Sequence, residues 1–207
     1  MKPVRRNGQT RTVTREGGFT LLELIIAAGI LAIIIVNMSM LLRATSQTHD
    51  ASEDTQALDL HARQTLDRIV IALQSAAKNS VIPAAEAPLY SSAVDYDVSL
   101  GVEDGELVWG EPERIGLQMD TGEVLWYRSL GTEEERRVVW GRYVGPAMLG
   151  ESPQNGLDDN TNGIIDELGL SFTVAGDSVI VRMTLERTNS AGVALVREFE
   201  QVVAFRN

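Results

Sequence analysis

The chain has 207 residues, with 18 Lys+Arg against 29 Asp+Glu, two His and no Cys. That length suits one domain or one domain with an appendage. The absence of Cys excludes disulfide staples, Cys-ligated zinc and thiol catalysis. Five of the cations (Lys2, Arg5, Arg6, Arg11, Arg15) lie in the first 18 residues beside a single acid, Glu16, so the remainder carries 13 cations against 28 anions, a net −15. So acidic a body repels nucleic acid and anionic membrane surfaces, and no nucleic-acid partner is expected.

Residues 19–42 read FTLLELIIAAGILAIIIVNMSMLL; 19 of these 24 are apolar and Glu23 alone is ionisable. As a helix the run is about 36 Å long, enough to cross a hydrocarbon core of about 30 Å. Basic residues precede the run and the acidic body follows, so residues 1–18 are expected in the cytoplasm and 43–207 across the membrane. A cleaved secretory signal would have a shorter apolar core and a small-residue cleavage site, and Arg43-Ala44-Thr45-Ser46 is a poor match to that. A plain anchor explains the hydropathy and leaves Glu23 unexplained. A charged side chain at the centre of a membrane helix costs about 2.5–3.5 kcal/mol or more, and less near the interface.

The segment Glu16-Gly17-Gly18-Phe19-Thr20-Leu21-Leu22-Glu23-Leu24 resembles the processing motif of type IV pilin-like proteins. The resemblance implies that a prepilin peptidase cuts after Gly18, that the same enzyme methylates the new N-terminal Phe19, and that Glu23 helps seat the subunit in a helical filament. It also implies the other major and minor pilins or pseudopilins as partners, an inner-membrane location, and a periplasmic head that enters a pilus-like filament. Glu23 paired in the bilayer with the amine of Phe19 lowers the cost of both charges. Many major pilins carry a helix-breaking Pro where this chain has Met40, and no Pro occurs from 19 to 82, so a continuous helix is expected. Gly29 is its one weak point, at up to about 1 kcal/mol in helix propensity.

Past Arg43 the chain is polar and helix-friendly to about Asn79. Residues 44–57 are too polar to bury much and bridge membrane and head. Ala62, Leu66, Ile69, Leu73 and Ala76 then form an apolar stripe at helical spacing, with Asp59, Arg63, Asp67 and Gln74 opposite, and Asn79, Ser80 and Pro83 end the helix. The stripe is expected to pack on a sheet of the same chain. His49 and His61 are twelve apart, which is not a metal-ligand spacing on a helix, and read as surface or packing residues.

From Ala84 the period changes from 3.6 to 2. Val94, Tyr96, Val98 and Leu100 alternate with polar residues, as do Ile115, Leu117 and Met119. Asp120-Thr121-Gly122 turns the chain into a strand over 123–130, another runs over 137–144, and 178–187 and 193–205 flank a turn at Asn189-Ser190-Ala191-Gly192. Glu133, Glu134 and Glu135 read as a solvated turn. Short turns join antiparallel neighbours, so the fold class is α+β: a long N-terminal helix, transmembrane in its first half, on an antiparallel β-sheet head of pilin type. The organisation is a cleaved leader at 1–18, a transmembrane helix at 19–42, its amphipathic continuation at 43–80 and a β-rich head at 84–207. The closing hairpin from Phe172, ending in Arg206-Asn207, is similar to minor pseudopilins of the J type in type II secretion and to PilW-like minor pilins. Both relatives imply a subunit at or near the filament tip that primes assembly, for protein secretion in the first case and for a type IV pilus in the second. Subunits at the extreme tip often lack the glutamate, so Glu23 favours a place below another subunit.

One constellation reads as a cation site. In residues 155–169 (NGLDDNTNGIIDELG), Asp158, Asn160, Asn162, Gly163 and Asp166 fall at positions 1, 3, 5, 6 and 9 of an EF-hand-like calcium loop, and the Ile164 carbonyl supplies position 7. Position 12 is Gly169, where a bidentate Glu would sit, and Glu167 is the candidate substitute. The competing reading is a polar turn, because Asn155-Gly156 and Asn162-Gly163 are strong turn formers. No plausible His base, Gly-rich phosphate loop or G-x-S-x-G is present, so no enzyme is expected. Besides a filament subunit there remains a membrane-tethered calcium-binding head that never polymerises, which leaves Gly18, Phe19 and Glu23 unexplained.

Overall fold

The computed structural model describes residues 18, 20–152, 155–189 and 192–205. They divide into two compact units, one within Met1–Gln47 and one within Thr48–Asn207.

A single helix, α1 (Leu21–Gln74, 54 residues), opens the described chain. Neither Pro nor a Gly pair interrupts it. Its first 23 residues, Leu21–Arg43, are long and apolar enough to cross a membrane, and none of them is buried. Asn37 and Ser39 lie in this stretch and bond back to the carbonyls of Ile33 and Ile35, at 2.9 and 2.8 Å. That is how a helix satisfies polar side chains without water.

The second half of α1 carries the expected stripe. Ala62, Leu66, Ile69 and Leu73 are buried, with Ala76 just past the helix end; Leu58 extends the stripe by a turn. The helix stops at Gln74, a little before the expected Asn79. The Ser75 carbonyl accepts the N–H of Ser99 and the Ala77 N–H donates to Asp97, so the chain leaves the helix to pair with a strand. A 3-10 turn at Lys78–Ser80 follows. Of the polar stretch expected to bridge membrane and head, Asp54 already reaches the head, 3.6 Å from Arg187.

The head contains two antiparallel meanders. The first runs β1 (Ala93–Glu103), β2 (Glu106–Gln118), β3 (Glu123–Arg128) and β4 (Arg136–Gly141), in that spatial order. The second runs β5 (Leu170–Ala175), β6 (Ser178–Thr188) and β7 (Ala194–Ala204). A bridge between Ser91 and Phe172 links them. The helix stripe, Tyr96, Ile115 and Val124 of the first sheet, and Phe172, Val181, Met183 and Leu185 of the second form one core. The alternation of β1 holds for Val94 and Tyr96, which are buried, and then breaks: the register shifts twice between Asp97 and Gly101, and Leu100 ends exposed. An extra residue in one strand turns the following side chains to the other face.

Helix and sheet approach closely at Gly141, where a Cβ would lie 2.6 Å from both Cγ2 and Oγ1 of Thr65. Thr65, a polar residue inside the stripe, is buried because its hydroxyl bonds to the His61 carbonyl at 2.9 Å and the Trp140 carbonyl at 3.3 Å. His61 is a packing residue as expected: its Nε2 accepts the Arg142 N–H at 2.9 Å and its ring meets Tyr143 edge-on. His49 lies outside the described side chains.

Candidate functional sites: the helix start and the loop at 155–169

At the N-terminal site Gly18 is exposed, and Phe19 and residues 1–17 lie outside the described residues. Thr20 caps α1. Its Oγ1 accepts the Glu23 N–H at 3.3 Å and its carbonyl accepts the Leu24 N–H at 3.2 Å. The pattern Thr20-x-x-Glu23 is therefore a helix-start signature as well as part of a processing motif. It places Glu23 in the first turn of the helix, where the helix dipole favours a negative charge. The Thr20 cap was missed in the sequence reading, although the spacing of a hydroxyl and a glutamate three apart was present to find it.

The loop at 155–169 is built from side chains bonding to nearby backbone. Asp158 accepts the N–H groups of Asn162 at 3.1 Å and Gly163 at 2.8 Å. Asn160 Oδ1 accepts the Asn162 N–H at 3.0 Å, and Asn162 Oδ1 accepts the Ile164 N–H at 2.9 Å. Asp158, Asn160 and Asn162 are thus brought together around one turn, with Gly163 at φ 89° and Ile164 buried beneath it.

The carboxylates of the other two expected ligands are engaged by protein groups. Asp166 sits at φ 52° and its carboxylate receives the N–H groups of Asn155 at 2.8 Å and Gly156 at 2.9 Å. Glu167 is fully buried; it accepts the Ser171 hydroxyl at 2.6 Å and the Asn162 side-chain amide, and lies 3.6 Å from Arg182 Nη1. Arg182 in turn donates from Nε to Glu200 at 2.8 Å. Gly169 has no room for a glutamate at position 12, because a Cβ there would lie 2.0 Å from the Gly145 carbonyl oxygen. Among the described residues no group of three or more His, Asp or Glu is arranged to hold a metal ion.

Two residues of this region escaped the sequence reading. Arg182 is the internal counter-charge of Glu167, and lies on β6 at a position that reads as an ordinary polar residue facing out. Glu151 reaches the loop from outside the motif. Its Oε1 accepts the Asn160 N–H at 3.2 Å, while its Oε2 is buried with no hydrogen-bond partner. Burial, and then the charges of Asp159, Asp158 and Glu167, push the Glu151 carboxyl above the ordinary glutamate range, against the Asn160 bond.

An apolar helix of membrane-spanning length, capped by Thr20 with Glu23 in its first turn and followed by a β-rich head, fits a membrane-anchored, pilin-like protein. In agreement, residues 13–36 match the family described as the prokaryotic N-terminal methylation motif, typical of type IV pilins and pseudopilins. That motif implies processing by a prepilin peptidase and pilin-type partners, and is one of structural subunits. No curated protein and no solved structure matches the chain.

Proposed function

We propose that this chain is a minor pseudopilin of the J type, a structural subunit that joins a type II secretion pseudopilus near its tip, primes its assembly and supports protein secretion. The observation that carries this reading is the methylation motif at 13–36 running into an exposed apolar span, Leu21–Arg43, ahead of a β-rich head. Prepilin peptidase cuts between Gly18 and Phe19 and methylates Phe19. The leader stays cytoplasmic, the helix holds the subunit in the inner membrane, and the head is periplasmic until the subunit enters the filament. Glu23 pairs with a Phe19 amine, its own or a neighbour's, and fixes the depth at which subunits join. Mass spectrometry of the N-terminal peptide from native membranes tests this: a methylated Phe19 start is expected, and an intact N-terminus or a start after residue 42 overturns it. Glu23→Ala should leave membrane insertion intact and abolish incorporation into filaments.

The loop at 155–169 is proposed to bind calcium through side-chain oxygens of Asp158, Asn160 and Asn162 and the Ile164 carbonyl, with Glu151 as a further carboxylate. The crowding of Glu151, Asp158, Asp159 and Glu167 supports this, since a dication offsets the burial and then the repulsion that raise the Glu151 carboxyl above its ordinary range. Asp166 and Glu167 keep their amide, Ser171 and Arg182 partners and order the loop around the ion. Binding to the folded state alone raises stability, so EDTA should lower the melting temperature of the wild type and leave that of Asp158→Ala unchanged. No shift in the wild type removes the ion from the site.

A further inference from the structure

A pocket of about 380 Å³ opens at the seam between the second half of α1 and the first sheet. Arg68 and Ser75 line it beside the helix, while Glu113 of β2, Trp126 of β3 and Trp140 of β4 line it from the sheet. Its volume lies within the range of about 300–1,000 Å³ typical of small-molecule sites, which combine apolar and aromatic walls with a few placed polar groups.

The polar groups here are held in place. Glu113 Oε2 accepts the Tyr96 hydroxyl at 2.9 Å and the Trp126 indole N–H at 2.8 Å. Tyr96 is fully buried. Burial, then the charge of Glu113, push its phenol above the ordinary range, so it stays a donor. Arg68 Nη1 donates to the Trp140 carbonyl at 3.1 Å. The two indole rings stack with centroids 5.3 Å apart and planes 18° from parallel. Glu113 thus has one oxygen fixed while Oε1 has no partner among the described residues, and Arg68 has one nitrogen fixed and donors to spare. Both line the pocket, and no ion pair joins them.

A guanidinium only donates and an ionised carboxylate only accepts. A cation in the pocket is repelled by Arg68 and an anion by Glu113. A hydroxyl both donates and accepts, so neighbouring hydroxyls on one neutral ring satisfy both groups. The indole pair adds a flat apolar wall for the C–H face of such a ring. We infer that this pocket binds a saccharide. One sugar ring lies against Trp126 and Trp140, one of its hydroxyls donates to Glu113 Oε1, and a neighbouring hydroxyl accepts from Arg68. The pocket lies apart from the loop at 155–169 and needs no filament to form.

The test presents the full chain, solubilised in a detergent without a sugar headgroup, to an array of mono- and oligosaccharides, and then titrates the bound sugar against tryptophan fluorescence. Saturable binding of at least one saccharide is expected. Glu113→Gln and Arg68→Met should each weaken it about tenfold or more, the effect of losing one hydrogen bond to a charged group, with the melting temperature unchanged. Glu113→Gln keeps an acceptor for Tyr96 and Trp126; if it nevertheless lowers the melting temperature, Arg68→Met, on an exposed position of the helix, decides alone. Trp109→Phe alters an indole outside this pocket and should leave the affinity unchanged. Binding to no saccharide overturns the proposal, whether or not the zwitterion glycine binds in its place. So does an affinity that survives the substitutions at 113 and 68, or one that Trp109→Phe lowers as much as they do.

Discussion

The two halves of α1 are one helix that faces two different surroundings. Along Leu21–Arg43 every described side chain is exposed and nearly all are apolar. From Leu58 to Leu73 one apolar stripe is buried by the head, while Leu60 and Ile71 lie exposed off it among polar residues. A helix apolar on all sides needs an apolar medium on all sides, while an amphipathic one needs a single protein face. The first half is not buried by the described chain, and its composition suits an apolar medium. The second half holds the head together.

The comparison breaks most readily at Leu73, which is fully buried in the core. Leu73→Ala should cost the head about 2–5 kcal/mol, and Leu31→Ala in the apolar half should leave head unfolding unchanged, both read by denaturant titration of the detergent-solubilised chain. Equal effects would mean that the first half also stabilises the head. Gly141→Val is the next largest change. Its side chain would meet Thr65 head on, and overpacking of this kind costs about 1–3 kcal/mol, visible as a lowered melting temperature that Thr65→Ala partly restores. Thr20→Ala removes the cap of the apolar half and should cost about 1 kcal/mol. Hydrogen exchange should accelerate at Glu23 and Leu24, with no change near Leu66.

The smallest effect sharpens the contrast through pH. Burial, then the charges of Arg68 and Arg142, hold the His61 pKa below its ordinary value of 6.5. The unfolded chain therefore takes up the proton first as pH falls. The His61 contribution to stability is constant above about pH 6.5, declines as pH drops from there to the folded-state pKa, and then levels off. Protonation also breaks the bond that Nε2 accepts from Arg142. His61→Phe should flatten this part of the pH profile, measured as melting temperature against pH.

Periodicity carried far in some regions and failed in others for identifiable reasons. The spacing of Ala62, Leu66, Ile69 and Leu73 located the buried face, because a helix repeats its faces regardless of what covers them. It did not reveal that Thr65 is buried as well, since that depends on a carbonyl of Trp140 75 residues away. Leu100 followed the alternation of β1 on paper and is exposed, because the bulges are set by pairing with β2. In the loop at 155–169, Asp158, Asn160 and Asn162 converge as their spacing requires, being local. Asp166 is taken up by the amides of Asn155 and Gly156 at the start of the loop, Glu167 by Ser171, Asn162 and Arg182, and Glu151 and Arg182 entered from outside the motif.

The sequence by itself determined the membrane-length apolar run, the Thr20–Glu23 helix start, the pilin-like N-terminal motif, the amphipathic stripe and the antiparallel strands. Each of these is written in residues within a few positions of one another, and local sterics, hydropathy and side-chain reach are enough to read it. The tertiary structure alone decided the split of the head into two sheets, the close approach at Gly141 and the turning of Glu167 towards Arg182. Those features depend on which distant residues meet, and burial and electrostatics act through space without regard to chain order.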